Sequence, residues 1–138
     1  MKDHTSSAAA AARANQEDPI VMYLVVRESL NMTMGKACAQ VGHAVSMLML
    51  QHFNDGSTIT NKHELFRQWL DGSFRKVVLK ADDKEWEKLK AEFAVGDIVL
   101  VVDAGLTQIP SGSETVIGIY PMLKSTRPKI LKRLQALK

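Results

Sequence analysis

The stretch that decides the fold is "IVMYLVVRESLNMTMGKACAQVGHAV", Ile20 to Val45. Its first seven residues form a nearly unbroken apolar run rich in β-branched side chains, the pattern of a strand buried on both faces. A loop from Arg27 to Thr33 follows, and then a helix. Strand, loop and helix in that order are the first half of a βαβ unit. An α-helix turns about 100° per residue, which gathers Lys36, Gln40 and His43 on one stripe. Ala37, Val41, Ala44, Val45 and Leu48 fall on a separate arc that belongs to a core. The polar trio is expected to turn away from that core. An amine and two neutral donor and acceptor groups, with no acid on the helix beside them, suit an anion or a polar ligand; the bland alternative is a solvated helix face.

Working outward, "NDGSTITN", Asn54 to Asn61, reads as an exposed loop built from turn formers. "KHELFRQWL" places Leu65, Phe66, Trp69 and Leu70 at helical spacing, a packing face rather than an aromatic binding box. "FRKVVLKA", Phe74 to Ala81, is a second strand. "DDKEWEKLKAEF", Asp82 to Phe93, is a helix opened by N-capping acids, with Trp86, Leu89 and Phe93 facing inward. Asp97 to Asp103 is a third strand and Glu114 to Tyr120 a fourth, ended by Pro121; Lys124 to Lys138 supplies a last helix. The order βααβαββα, without internal repeats, predicts a mixed, mainly parallel sheet with helices on both faces. The last two strands are joined by a link too short for a helical crossover and are expected to be antiparallel.

The 138 residues, 46% of them apolar, fit one domain with a proper core. Met1 to Asp18 lacks bulky periodic residues and reads as a flexible lead or a weak alanine helix ahead of a domain from 19 to 138. Asp3, Glu17 and Asp18 argue against an organelle-targeting role for it. No apolar run reaches the length of a membrane span, and the start lacks the layout of a secretory signal. Cys38, the single cysteine, cannot form an internal disulfide and is expected to be a buried thiol in a reducing compartment. The net charge is +3, yet the segment from Lys124 holds Lys124, Arg127, Lys129, Lys132, Arg133 and Lys138 and no acid, so the remainder is net negative. A basic C-terminal helix points to a partner with a negative backbone or to a solvated surface.

Ligands of open α/β sheets bind beyond the carboxyl ends of the parallel strands. That rule brings Asp103, the loop from Ala104 to Gln108, the start of the Lys36 helix, and Glu114 with Thr115 to one edge. The convergence fits a hydrolytic or RNA-binding site; alternatively Asp103, Thr107 and Gln108 serve only to cap turns. A phosphate-binding GxxxxGK loop is missing because Leu30 stands where its first glycine belongs, and neither GxGxxG, zinc spacing nor GxSxG occurs. No metal or nucleotide cofactor is indicated.

The segments "MGKACAQVGHA", "KVVLK" and "DAGLTQIPSGSETVIGIYP" resemble, in order and spacing, the signature of the type 2 peptidyl-tRNA hydrolases, the archaeal and eukaryotic family. The resemblance covers Ile20 to Lys138, and GKxxAQxxHA followed by DAGxTQxxxGxxTVxGIxP is highly specific. It implies a three-layer α/β/α fold with a four-stranded mixed sheet, commonly dimeric. The implied activity is cleavage of the ester between a stalled nascent peptide and the terminal ribose of its tRNA, in the cytoplasm or alternatively in mitochondria, without a cofactor. Carried over by position, Lys36, Gln40, His43, Asp103, Thr107, Gln108 and Thr115 are its site residues. Asp103 is expected to orient or deprotonate the water with help from Thr115, Lys36 to stabilise the oxyanion or hold a phosphate, and His43 to be the alternative base. Lys129 and Lys132 are expected to attract the tRNA backbone. Two positions depart from the family: Met34 and Leu106 stand where a lysine and an arginine are frequent. The rival is a non-catalytic module that binds RNA or a protein partner in a signalling role.

Overall fold

The computed structural model describes residues 17–55, 60–104, 109 and 112–138. The elements are β1 (Ile20–Arg27), α1 (Met34–Asn54), α2 (Asn61–Asp71), β2 (Lys76–Ala81), α3 (Asp83–Glu92), β3 (Ile98–Val102), β4 (Glu114–Ile119), β5 (Met122–Leu123), α4 (Lys129–Arg133) and β6 (Gln135–Ala136). Each of the three longer helices begins on a side-chain cap. Thr33 accepts from the backbone of Lys36, Thr60 from that of His63, and Asp82 with Glu85 closes a reciprocal capping box. Such caps satisfy amides that the first turn leaves without partners, worth about 1 kcal/mol each.

The strands lie in the order β3-β4-β1-β2-β6, with β5 paired to the start of β1. β1 and β2 are parallel, with Leu24 opposite Val78, while β4 runs antiparallel to both β1 and β3. The sheet is therefore mixed, but "mainly parallel" needs correcting at the level of pairing. β1, β2 and β3 point the same way, yet β4 is inserted between β3 and β1 in the opposite sense, so β1–β2 is the one parallel pair among the described strands. The cause is the short link after β3, which forces the chain straight back beside it. Two strands of two residues each, β5 and β6, raise the count from four to six.

Alternation along β1 divides the core. Met22, Leu24 and Val26 face α1 and α2 with Ala44, Leu48, Phe66 and Trp69. Val21, Tyr23 and Val25 face α3 and α4 with Trp86, Leu89 and Leu131. These are the three layers expected. α1 packs closely because Gly118 on β4 has no side chain: a Cβ there would lie 2.9 Å from Val99 Cγ2 and 3.1 Å from both Ala44 Cβ and Leu48 Cδ1.

The C-terminal segment differs most from expectation. Lys124 to Lys138 is not one helix: a 3-10 turn over Lys124–Thr126, the five residues of α4 and the edge strand β6 take its place. A residue before proline is pushed out of helical space, and Arg127, before Pro128, sits at φ −64° and ψ 139°. Leu131 and Leu134 then anchor the segment in the core, and Gln135 and Ala136 pair with Lys80 and Leu79. The lone thiol is also corrected: Cys38 is exposed, because it lies outside the arc that Ala37 and Ala44 bury. The expectations for Met1 to Gln16 and for 56–59 lie outside the described residues.

Candidate active site

Thr33 caps α1 so that its first turn opens at the carboxyl edge of β1 and β3, and Lys36 stands in that turn. Lys36 Nζ donates to Asp103 Oδ1 at 2.6 Å, with the two side chains only 9% and 4% exposed. Asp103 continues the alternation of Val99 and Val101, which face α1, and so reaches this site just beyond the end of β3. Its backbone is clamped: the amide donates to Ser113 O at 2.8 Å, and Gly112 N donates to Asp103 O at 2.9 Å. Gly112 has φ +84°, a conformation open to glycine at little cost.

A β-bulge supplies the third group. Val101 pairs with Val116 but Val102 with Glu114, leaving Thr115 as the extra residue on β4. A bulge turns consecutive side chains out of strict alternation. Thr115 is thereby sent toward α1, where it is fully buried and its hydroxyl donates to Gln40 Oε1 at 2.7 Å, with Val101 O as the more distant acceptor at 3.3 Å. Glu114 goes to the other face, accepting from Trp86 Nε1 at 3.0 Å and Lys90 Nζ at 2.9 Å. The Trp86 hydrogen bond first, and then that of Lys90, hold its carboxyl below the usual carboxylate range. Glu114 and Thr115 thus reach the expected edge on opposite sides of the sheet.

Gln40 corrects the reading of the helix stripe. It is 4% exposed rather than turned outward, because the bulged strand brings Thr115 up to meet it. His43, one turn further, is exposed. Thr107 and Gln108 lie outside the described residues. Lys129 and Lys132 ride on α4, whose Leu131 packs with α3 on the opposite face of the sheet, so the structure does not bring them together with Lys36 and Asp103. Sequence reasoning missed the bulge, for which no residue gives a signal, and the clamp at Gly112, for which glycine is the visible cue. It also missed that Asp83 binds Arg27 and Ser29 and that Glu28 pairs with Lys80 at the carboxyl ends of β1 and β2. Among the described residues no three of histidine, cysteine, aspartate and glutamate gather as a metal would require.

Chemically, the arrangement offers a carboxylate to orient water, an ammonium to meet negative charge and a held hydroxyl, in a partly desolvated corner where each acts more strongly than in bulk solvent. Fold and site together define a small α/β/α protein with a polar site at the edge where strand order turns back beside a helix N-terminus. The chain belongs to the peptidyl-tRNA hydrolase PTH2 family, whose model matches residues 20–137. It is 36% identical to the human protein named "Peptidyl-tRNA hydrolase 2, mitochondrial" over 87% of this chain and 65% of that one. Against the "Peptidyl-tRNA hydrolase" of Pyrobaculum aerophilum the identity is 32%, over 74% of this chain and 84% of the archaeal one. Against the "Probable peptidyl-tRNA hydrolase 2" of Schizosaccharomyces pombe it is 40%, over 80% and 53%. The chain therefore spans about half to two thirds of its eukaryotic relatives and most of the archaeal one.

Proposed function

We propose that the protein hydrolyses the ester joining a peptide to the 3′-terminal ribose of tRNA, returning free tRNA to translation. The observation that carries this is the buried Lys36–Asp103 pair beside Thr115, at an edge shared by the first turn of α1, the end of β3 and the start of β4. Water attacks the ester carbonyl, the bond to the ribose oxygen breaks, one of the water's protons passes to that oxygen and the other is released to solvent, leaving a peptide carboxylate and a ribose hydroxyl. Asp103 orients the water or takes its proton in transit, and Thr115 helps to hold it. Lys36, released from Asp103 as substrate enters, faces the oxyanion or a 3′-end phosphate. His43 is the alternative base. Gln40, Thr107 and Gln108 contact the substrate near the ester, and Lys129 and Lys132 contribute phosphate attraction from the far face.

The names of the relatives support the same substrate and do not favour a purely binding role. We place the reaction in the cytoplasm, where a lone exposed Cys38 stays reduced, with mitochondria as the alternative in view of the human and bovine relatives. A homodimer, carried by the family resemblance, belongs to the same proposal and is read by sedimentation. The test is release of the blocked residue from N-acetyl-aminoacyl-tRNA, with free-amino aminoacyl-tRNA as control. Selective hydrolysis of the blocked substrate, lost in Lys36→Ala, is expected; tRNA binding without hydrolysis would overturn the activity.

A further inference from the structure

α1 breaks the usual rule for a surface helix. From Ala37 to Asn54 it holds no aspartate, glutamate, lysine or arginine, although one side of it faces solvent. Met47, Leu50 and Phe53 are 38%, 63% and 64% exposed on that side. An outward helix face ordinarily carries charge, and a contiguous uncharged, apolar one marks a contact surface. On the helical wheel Lys36, His43, Met47 and Leu50 fall within one stripe about 60° wide, so the apolar residues continue the line that starts at the candidate active site. Beside this stripe stand Gly35 and Gly42, where even an added Cβ would meet nothing within 4 Å. A low, uncharged strip thus runs from Lys36 to Phe53.

We propose that this strip holds the peptide moiety of the substrate, an inference that rests on the ester-hydrolase function above. Lys36 to Leu50 is about 21 Å along the helix axis, the span of six or seven residues of extended peptide. Nascent peptides differ in sequence, and a surface without formal charge neither selects nor repels them by sign. Methionine adapts its flexible thioether to many side-chain shapes, a property of surfaces that accept varied partners. A second copy of the chain is the competing occupant. The outward face of this helix offers on the order of 300 Å², taken as its length times a helix width, against about 800 Å² per partner in a standard stable interface.

The test compares two substrates of the full-length protein and of the Met47→Glu/Leu50→Glu variant. One is N-acetyl-aminoacyl-tRNA, too short to reach Met47; the other is tRNA bearing a ten-residue apolar peptide. With the melting temperature unchanged, the variant is expected to raise KM for the long substrate about tenfold, leaving kcat and the short substrate as they were. Parent activity on both substrates with no selective loss in the variant would overturn the strip while leaving the hydrolase intact. A parent inactive on both would fell the activity and the strip together. A parent dimer that the variant converts to monomer would give the strip to a second copy and overturn the assignment.

Discussion

Removing one partner of the Lys36–Asp103 pair takes the opposite charge away from a buried group, and the structure sets the size of that penalty. At 2.6 Å the gross attraction between unit charges is about 6 kcal/mol at an effective dielectric constant of about 20. With side-chain exposures of 9% and 4%, solvent screens little of it. Desolvation offsets much of the attraction while both partners are present, but that cost is uncompensated when one is lost, which makes single removals destabilising by about 3–5 kcal/mol. Asp103→Asn keeps an amide dipole near the ammonium and belongs at about 3; Lys36→Met takes the ammonium from the carboxylate and belongs nearer 5. For a domain of this size that lowers Tm by about 10–20 °C. Lys36→Met/Asp103→Asn, which removes both charges, is expected to recover part of the loss. Urea and thermal unfolding of the four proteins close the double-mutant cycle. Single variants within about 1 kcal/mol of the parent, or losses that simply add, would refute a buried and coupled pair.

Thr115→Val deletes a buried hydroxyl and leaves Gln40 Oε1 without its 2.7 Å donor; a loss of about 1–3 kcal/mol in stability and a fall in kcat are expected, read by urea unfolding and steady-state hydrolysis. Lys129→Glu with Lys132→Glu should raise KM for tRNA substrates and flatten its salt dependence without changing kcat; an unchanged slope returns these residues to solvated surface. His52 stacks on Phe66 at 4.1 Å, and its enclosed Nδ1 finds no hydrogen-bond partner among the described residues. Burial first, then the neighbouring His63, lower its pKa from 6.5, with Arg67 acting the same way and Asp55 opposing. A folded pKa below the unfolded one gives stability that is present above about pH 6.5 and is lost as the pH falls toward the folded value. His52→Phe keeps the stack and should flatten that part of the stability–pH curve; a curve of unchanged slope would remove His52 as its source.

The layers, the element order through β4 and the antiparallel return of β4 were legible because each rests on local periodicity or link length. Ile20 to Val26 announces a central strand by its unbroken apolar run, and Asp82 with Glu85 announces a helix start. What stayed hidden depends on distant pairing. Gln40 reads as a surface residue until the sheet places Thr115 beneath it, and Thr115 is there only because one residue of β4 is left over against β3. The charge count likewise exposed a basic C-terminal segment but not its shape, since Leu131 and Leu134 seek the core and Pro128 forbids one continuous helix. Asp103 and the start of the Lys36 helix were legible by rule, as groups at the carboxyl ends of the strands; that the two side chains, 67 residues apart in the chain, pair directly is shown only by the fold.

The most direct test is single-turnover hydrolysis of N-acetyl-aminoacyl-tRNA by Asp103→Asn, with tRNA binding measured on the same preparation at a temperature where the variant is folded. Near-complete loss of ester cleavage with tRNA binding retained is the predicted result. Cleavage at the parental rate would contradict the assignment of Asp103 to the water, and with it the account of the site.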